Sequence, residues 1–225
     1  MKKSKWMKLI GINLLTILLI ILPFIPGPPN KIVIFLSAFI QLIGFFGLGL
    51  VPVGIVWMIM EVKRGKNLNI KYNLLPLYLI TIPLIAFFTR ITIVAPLSNY
   101  SRDVSIKRSE QLIAAIEDYK NIQGQYPKSI QELESRSNTK MPVPFIMGIL
   151  NFRYNYINEH YSISFSQWLE YGSLEEIVLY DKNDIRNNLP DQYASYDYKF
   201  DLCRIQGAFD NRKTKYTDWQ YFLID

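Results

Sequence analysis

Hydrophobic positions follow two regimes along this chain. Up to residue 97 they come in long unbroken runs, and beyond it they recur singly at helical and then strand-like spacing. Leu9 to Ile25 is uncharged and almost wholly apolar, with Trp6 and Met7 extending it. Ile32 to Met60 holds 29 residues without a charge, more than the roughly 20 that a helix needs to cross bilayer hydrocarbon. Asn73 to Leu97 is a third run, interrupted by Pro76 and Pro83, closed by Pro96, and carrying Arg90 as its only charge. The pattern predicts three membrane-spanning helices, at about 6–25, 32–60 and 73–97. Pro52 is expected to kink the long second span. Gly44, Gly47, Gly49 and Gly54 allow a close neighbour, expected to be another span of the same chain rather than a dimer partner. Arg90 lies seven residues from the end of its run, so its side chain is expected to snorkel to the interface.

The second regime begins with a helix over 102–123. Leu112, Ile116 and Tyr119 share one stripe with Ile113 beside it, while Lys107, Arg108, Glu110, Glu117 and Lys120 fall on the solvated side. Gly124 ends it, Tyr126-Pro127 forbids continuation, and Ser129-Ile130-Gln131-Glu132 opens a second short helix as a capping box. The period then drops to two. Phe152, Tyr154 and Tyr156 form one strand, and Tyr161, Ile163 and Phe165 another, with Asn158-Glu159-His160 as the hairpin turn between them. Ile177–Tyr180, Tyr196–Leu202 and Trp219–Leu223 read as three more strands. One apolar and one polar face per strand imply an antiparallel sheet with a single buried face, covered by the 102–123 helix. The fold class is thus three membrane-spanning helices (1–97) followed by an α+β soluble domain (98–225), with an N-terminal helix packed on an antiparallel sheet.

Charge separates the same two parts. Residues 1–97 carry ten Lys or Arg and a single acid, Glu61, while the rest carries fifteen bases and eighteen acids. The excess positive charge flanks apolar runs instead of forming a patch on a folded surface, which argues against nucleic-acid binding. Lys2, Lys3, Lys5 and Lys8 precede the first run, and Lys63, Arg64, Lys66 and Lys71 fill the loop after the second, against Lys31 alone in the intervening loop. The positive-inside rule then puts the N-terminus and the 61–72 loop in the cytoplasm and the domain from residue 98 outside. The residues after the first run, Pro23-Phe24-Ile25-Pro26-Gly27-Pro28-Pro29, offer no small-x-small cleavage site, so that helix is expected to persist uncleaved. The Lys/Asn/Ile-rich composition suggests a bacterium, so the localisation expected is the inner (cytoplasmic) membrane, multi-pass, with an extracytoplasmic domain.

Residues 115–127, Ala-Ile-Glu-Asp-Tyr-Lys-Asn-Ile-Gln-Gly-Gln-Tyr-Pro, followed by Ser129-Ile130-Gln131-Glu132-Leu133, form a further pattern. The stretch from about 103 to 133 resembles the end of the long helix and the Gly-x-Tyr-Pro turn of the major pseudopilins of type II secretion. That resemblance implies a pilin-like domain in which helix, turn, short helix and antiparallel sheet follow in order. It does not imply filament assembly, since no acid stands near the start of an apolar helix to match the pilin glutamate.

Candidate chemistry is sparse. His160 is the only histidine, falls in the hairpin turn, and has no hydrolase or zinc motif beside it. Asp181-Lys182-Asn183-Asp184 starts like a calcium loop, but Arg186 and Gln192 replace the turn glycine and the bidentate glutamate. Glu175 and Glu176 are adjacent, so on a strand they face opposite ways and make a poor acid/base pair. The single cysteine, Cys203, has no partner for a disulfide and is expected in a strand as a buried or half-buried thiol. No catalytic, cofactor-binding or metal-binding residue is assigned, and no cofactor is expected. Thirteen of the fifteen tyrosines lie after residue 98, a choice that suits the half-wet face of a small sheet and, secondarily, a binding surface. The function expected is non-enzymatic. The outer domain is presented for binding another envelope protein or a cell-wall component, as in a scaffold or an immunity or inhibitor protein. A ligand sensor, or an envelope enzyme with carboxylates not recognisable in sequence, is the alternative. Besides that partner, the lipid bilayer itself is the expected surrounding.

Overall fold

The structure is a computed structural model, and it describes residues 2–68, 73–157, 159–170, 174–182, 205 and 211–224. The chain divides into two compact units, one made of residues 1–23 and 32–97, the other of residues 24–31 and 98–225.

The first unit is helical: α1 (Lys2–Ile21), α2 (Lys31–Gly47), α3 (Val51–Leu68) and α4 (Leu75–Thr89). Three helical stretches are long and apolar enough to cross a membrane, Lys5–Phe24, Lys31–Arg64 and Leu75–Gln123; the first two lie close to the runs read from sequence, and the third continues well past residue 97. A 3-10 turn at Leu48–Leu50 separates α2 from α3 just ahead of Pro52, where the proline ring cannot donate to the helical ladder. α4 packs against α1 and α3. Glycines on α2 and α3 also let α4 come close. A Cβ on Gly44 would lie 2.5 Å from the Cβ of Ala86, one on Gly47 2.7 Å from Pro83, and one on Gly54 2.8 Å from Ile80. Gly49 meets nothing. Thr81 Oγ1 donates to Asn13 Oδ1 at 3.2 Å, a polar tie between α4 and α1.

Pro96 does not close the third run, contrary to the sequence reading. A π turn over Arg90–Val94 follows α4, and the α-helical pattern resumes as α5, Ala95–Gln123. A proline clashes with the carbonyl four residues before it and offers no amide. The wider π turn shifts the ladder, and Pro96 then occupies the first turn of α5, where an amide is not needed. Thr92 Oγ1 donates to Phe88 O at 2.6 Å beside the altered ladder.

In the second unit, α5 carries the helix expected over 102–123, ended by Gly124 in the left-handed region (φ 77°), with its amide donating to Lys120 O at 2.7 Å. α6 (Ile130–Ser137) starts at Ser129, whose hydroxyl accepts the Glu132 amide at 3.2 Å. The Glu132 carboxylate accepts from the Lys128 amide at 2.8 Å rather than from that of Ser129, so the capping box is shifted by one residue.

Among the described residues the sheet runs β1-β2-β3-β5-β4, all antiparallel, with β1 Arg153–Ile157, β2 His160–Glu170, β3 Leu174–Tyr180, β4 Asn211–Lys213 and β5 Trp219–Ile224. The β1–β2 hairpin is tighter than the sequence suggested. His160 is already strand, paired with Ile157, and Glu159 takes the left-handed conformation (φ 63°) of the short turn. β4 had no counterpart in the sequence reading, and the expected strand Tyr196–Leu202 lies outside the described residues.

One face of the sheet receives α5. Leu112, Ile116 and Tyr119 are buried with Tyr161, Ile163, Phe165, Val178, Tyr180 and Trp219. The other face is buried as well, correcting the single buried face read from sequence: Ile157, Ile177, Leu179, Phe222 and Ile205 cluster there. Ser162 and Ser164, the polar residues that alternate with Tyr161, Ile163 and Phe165, are fully buried on β2, where Asn155 Nδ2 donates to Ser162 Oγ at 3.3 Å. Serine is small enough to lie under a cover, so alternation with serine does not signal a wet face.

The same unit contains an added element. The 24–31 segment pairs with 145–147: Gly27 N donates to Phe145 O (3.0 Å), Met147 N to Ile25 O (3.1 Å) and Asn30 N to Met147 O (3.0 Å). Pro26, Pro28 and Pro29 have no amide to give, so Gly27 and Asn30 supply the donors. A Cβ on Gly27 would lie 2.6 Å from Met147 Cε, so a larger residue there would displace the end of that side chain.

Truncating the fully buried Ile116 removes packing beneath α5, a change that costs about 2–5 kcal/mol in such cores. Ile116→Ala is therefore expected to lower the unfolding temperature of the detergent-solubilised chain by several degrees, followed by near-ultraviolet circular dichroism. Asp118→Ala, on the exposed side of the same turn, should leave it within a degree; equal shifts would mean that α5 does not cover the sheet.

Candidate functional site

The residues buried on α5 extend well before its apolar stripe. Ser98, Arg102, Ser105, Ser109, Leu112, Ile116 and Tyr119 are all buried, and they succeed one another at alternating steps of four and three, the spacing that keeps one face of a helix against a partner. The C-terminal half of this stripe is apolar and the N-terminal half polar.

At the polar end, Arg102 forks onto Glu176 of β3, with Nε 2.8 Å from Oε1 and Nη2 2.6 Å from Oε2. The Glu176 side chain is 1% exposed and that of Arg102 10%. Gln167 of β2 donates through Nε2 both to Glu176 Oε1 (2.8 Å) and to Ser98 O (3.1 Å), and its Oε1 accepts from Ser101 Oγ. The guanidinium carbon stands 3.7 Å from the centre of the Tyr221 ring on β5. Burial by itself lowers the Arg102 pKa, but the hydrogen bonds and charge of Glu176 outweigh it and raise it above its ordinary value. Bidentate geometry, a third donor on the carboxylate and a stacked ring together offset much of the desolvation of the two charges. Both Glu176 oxygens are engaged by donors within the protein. The cluster therefore fixes the start of α5 on β2 and β3, and it leaves no exposed carboxylate edge for acid–base chemistry.

A second polar network threads the apolar half. Tyr161 donates to Glu117 Oε1 at 3.0 Å, Tyr126 to Glu117 Oε2 at 3.4 Å, Tyr119 to Glu132 Oε1 at 2.6 Å and Tyr154 to Pro127 O at 2.6 Å. Lys182 Nζ approaches Glu117 at 3.9 Å. Glu117, assigned by periodicity to the solvated side, is thus an anchor for two core tyrosines. The rings themselves pack: Tyr126 on Tyr161 at 4.8 Å between centroids, Tyr154 on Tyr161 at 5.8 Å, and Tyr180 on Trp219 at 5.4 Å. These tyrosines belong to the core, with their hydroxyls turned to its edge.

The other residues weighed from sequence remain apart. His160 is exposed at the start of β2. Glu175 and Glu176 face opposite sides of β3 as alternation requires, both buried. Asp181 and Lys182 follow β3, while 183–192 and Cys203 lie outside the described residues. Among the described residues no three His, Cys, Asp or Glu side chains come together in a way that could hold a metal ion. Sequence reasoning missed the Arg102–Gln167–Glu176 cluster; the signal available was the four-three spacing carried back from Tyr119 to Ser98. No protein-family model matches the chain, and comparison with curated proteins and with solved structures gives no match either.

Burial raises the pKa of Tyr154, Tyr161 and Tyr180 above the ordinary 10.0, with the Glu117 charge adding to it at Tyr161. The fold holds these phenols neutral, whereas the unfolded chain ionises them near pH 10. Their contribution to stability is complete below that pH and falls as pH rises above it. Tyrosinate absorbance at 295 nm is expected to appear in two steps, exposed tyrosines first and the buried ones together with loss of near-ultraviolet dichroism. A single step near pH 10 with the fold intact would contradict the burial.

Proposed function

We propose that this chain is a multi-pass protein of the bacterial inner membrane, its N-terminus cytoplasmic, that presents the 98–225 domain outside to bind another envelope protein or a cell-wall component. The backbone pairing of residues 25–30 with 145–147 carries the topological part of this reading. Backbone hydrogen bonds cannot form across a bilayer, so the loop between the first two apolar helices and the domain share one side. Three crossings then leave the N-terminus and the base-rich 61–72 loop on the other, in agreement with the positive-inside rule. The binding role rests on the buried, internally satisfied Glu176 carboxylate of β3 and on the absence of a reactive constellation among the described residues. Such a domain offers a surface more readily than a reaction centre.

Alkaline phosphatase fused after Asp225 is expected to be active, and a fusion at Lys66 inactive; the reverse pattern would overturn the topology. Crosslinked, tagged protein purified from its own membrane should then bring down one envelope protein in fixed stoichiometry, or the protein should sediment with purified peptidoglycan. Failure of both would contradict the binding role.

A further inference from the structure

Several large apolar side chains of the second unit are exposed, and two points of the chain say what lies next to them. Gln167 is hydrogen-bonded to Ser98 O, and Ser98 directly follows the apolar run that ends at Leu97. The neighbouring Trp168 is 44% exposed, and Tyr100, two residues beyond Ser98, is 49% exposed. Phe145 accepts the Gly27 amide, and Gly27 lies two residues after the run ending at Ile25 and five before the one starting at Ile32. Phe145 is 41% exposed and is held in the left-handed region at φ 55°. That conformation is uncommon for a large aromatic residue and persists only where the surroundings impose it. The Arg108 guanidinium stands 5.1 Å from its ring centre. Tyrosine and tryptophan concentrate at membrane–water interfaces because an apolar ring with a polar edge suits the headgroup layer.

We propose that Tyr100, Phe145 and Trp168 form a lipid-contacting rim, by which the second unit rests on the outer headgroup layer of the bilayer. This rests on the membrane reading above and adds a partner for the domain's own surface, the phospholipid headgroup and upper acyl region. Ile122 provides the contrast. It is the most exposed of these apolar residues at 78%, but it stands 24 residues along α5 from Ser98, about 36 Å of helix.

The test uses the full chain in a Cys203→Ala background, reconstituted into phosphatidylethanolamine–phosphatidylglycerol vesicles. Nitroxide labels are placed singly through Tyr100→Cys, Phe145→Cys, Trp168→Cys, Ile122→Cys and Ile43→Cys, the last on α2. Collision with oxygen, which concentrates in lipid, is compared with collision with a water-soluble nickel chelate. Labels at 100, 145 and 168 are expected to favour oxygen, as at 43, while the label at 122 favours the chelate. Chelate preference at 145 and 168 with oxygen preference at 43 would overturn the rim and leave the membrane reading standing. Chelate preference at 43 would overturn the membrane reading and the rim with it. Poor access to both reagents with spin–spin broadening would mean contact with a second copy, which also overturns the proposal. Tyr100→Cys, at an exposed helical position, keeps the test decisive should a sheet or turn variant fail to fold.

Discussion

Arg102 enters the sheet one helical turn after Ser98, and its fork onto Glu176 sets the register between α5 and the strands. Gln167 reads both partners, bonding the Glu176 carboxylate and the Ser98 carbonyl, so β2, β3 and α5 meet at one point. From there the four-three stripe continues through Ser105 and Ser109 into Leu112, Ile116 and Tyr119. The serines fit close to the strands with their hydroxyls returned to the helix's own carbonyls, Ser105 to Ser101 O at 2.9 Å and Ser109 to Ile106 O at 2.6 Å. Hydrophobic burial supplies most of the stabilisation at the far end. The ion pair specifies position more than it adds energy, since an apolar pair of like volume is often as stable.

A related division holds among the tyrosines. Each contributes a large ring to the core and a hydroxyl that must find an acceptor at its margin. Glu117 and Glu132 supply acceptors from α5 and α6, which ties the short helix to the long one through Tyr119. The tyrosine-rich composition is thereby a consequence of building a small core with wet edges.

The three apolar helices, α5 with its Gly124 end, the Ser129 cap and most strands were legible, because each rests on local periodicity or turn chemistry. Pro96 misled because the rule against proline inside a helix allows a π turn to absorb it. The second face of the sheet was hidden by Ser162 and Ser164, polar by type and buried by context. The pairing of 25–30 with 145–147 left no local signature, since partners more than a hundred residues apart are joined by backbone amides alone. The Arg102 cluster was missed for a similar reason. An arginine on a helix reads as solvated until its partner, 74 positions later, is known.

If the Arg102–Glu176 fork is what seats α5, removing both members should cost clearly less than the sum of the two single losses. A double-mutant cycle on the full chain in detergent, with Arg102→Met, Glu176→Gln and the double variant, measures this directly by chemical denaturation. Each single change is expected to destabilise by about 3–5 kcal/mol, since it leaves a buried charge or an orphaned guanidinium. The double variant should recover a substantial part, giving a coupling of about 1–3 kcal/mol. Additive losses, with coupling near zero, would mean that the pair merely accompanies the seating of α5 and that packing from Leu112 onward achieves it alone.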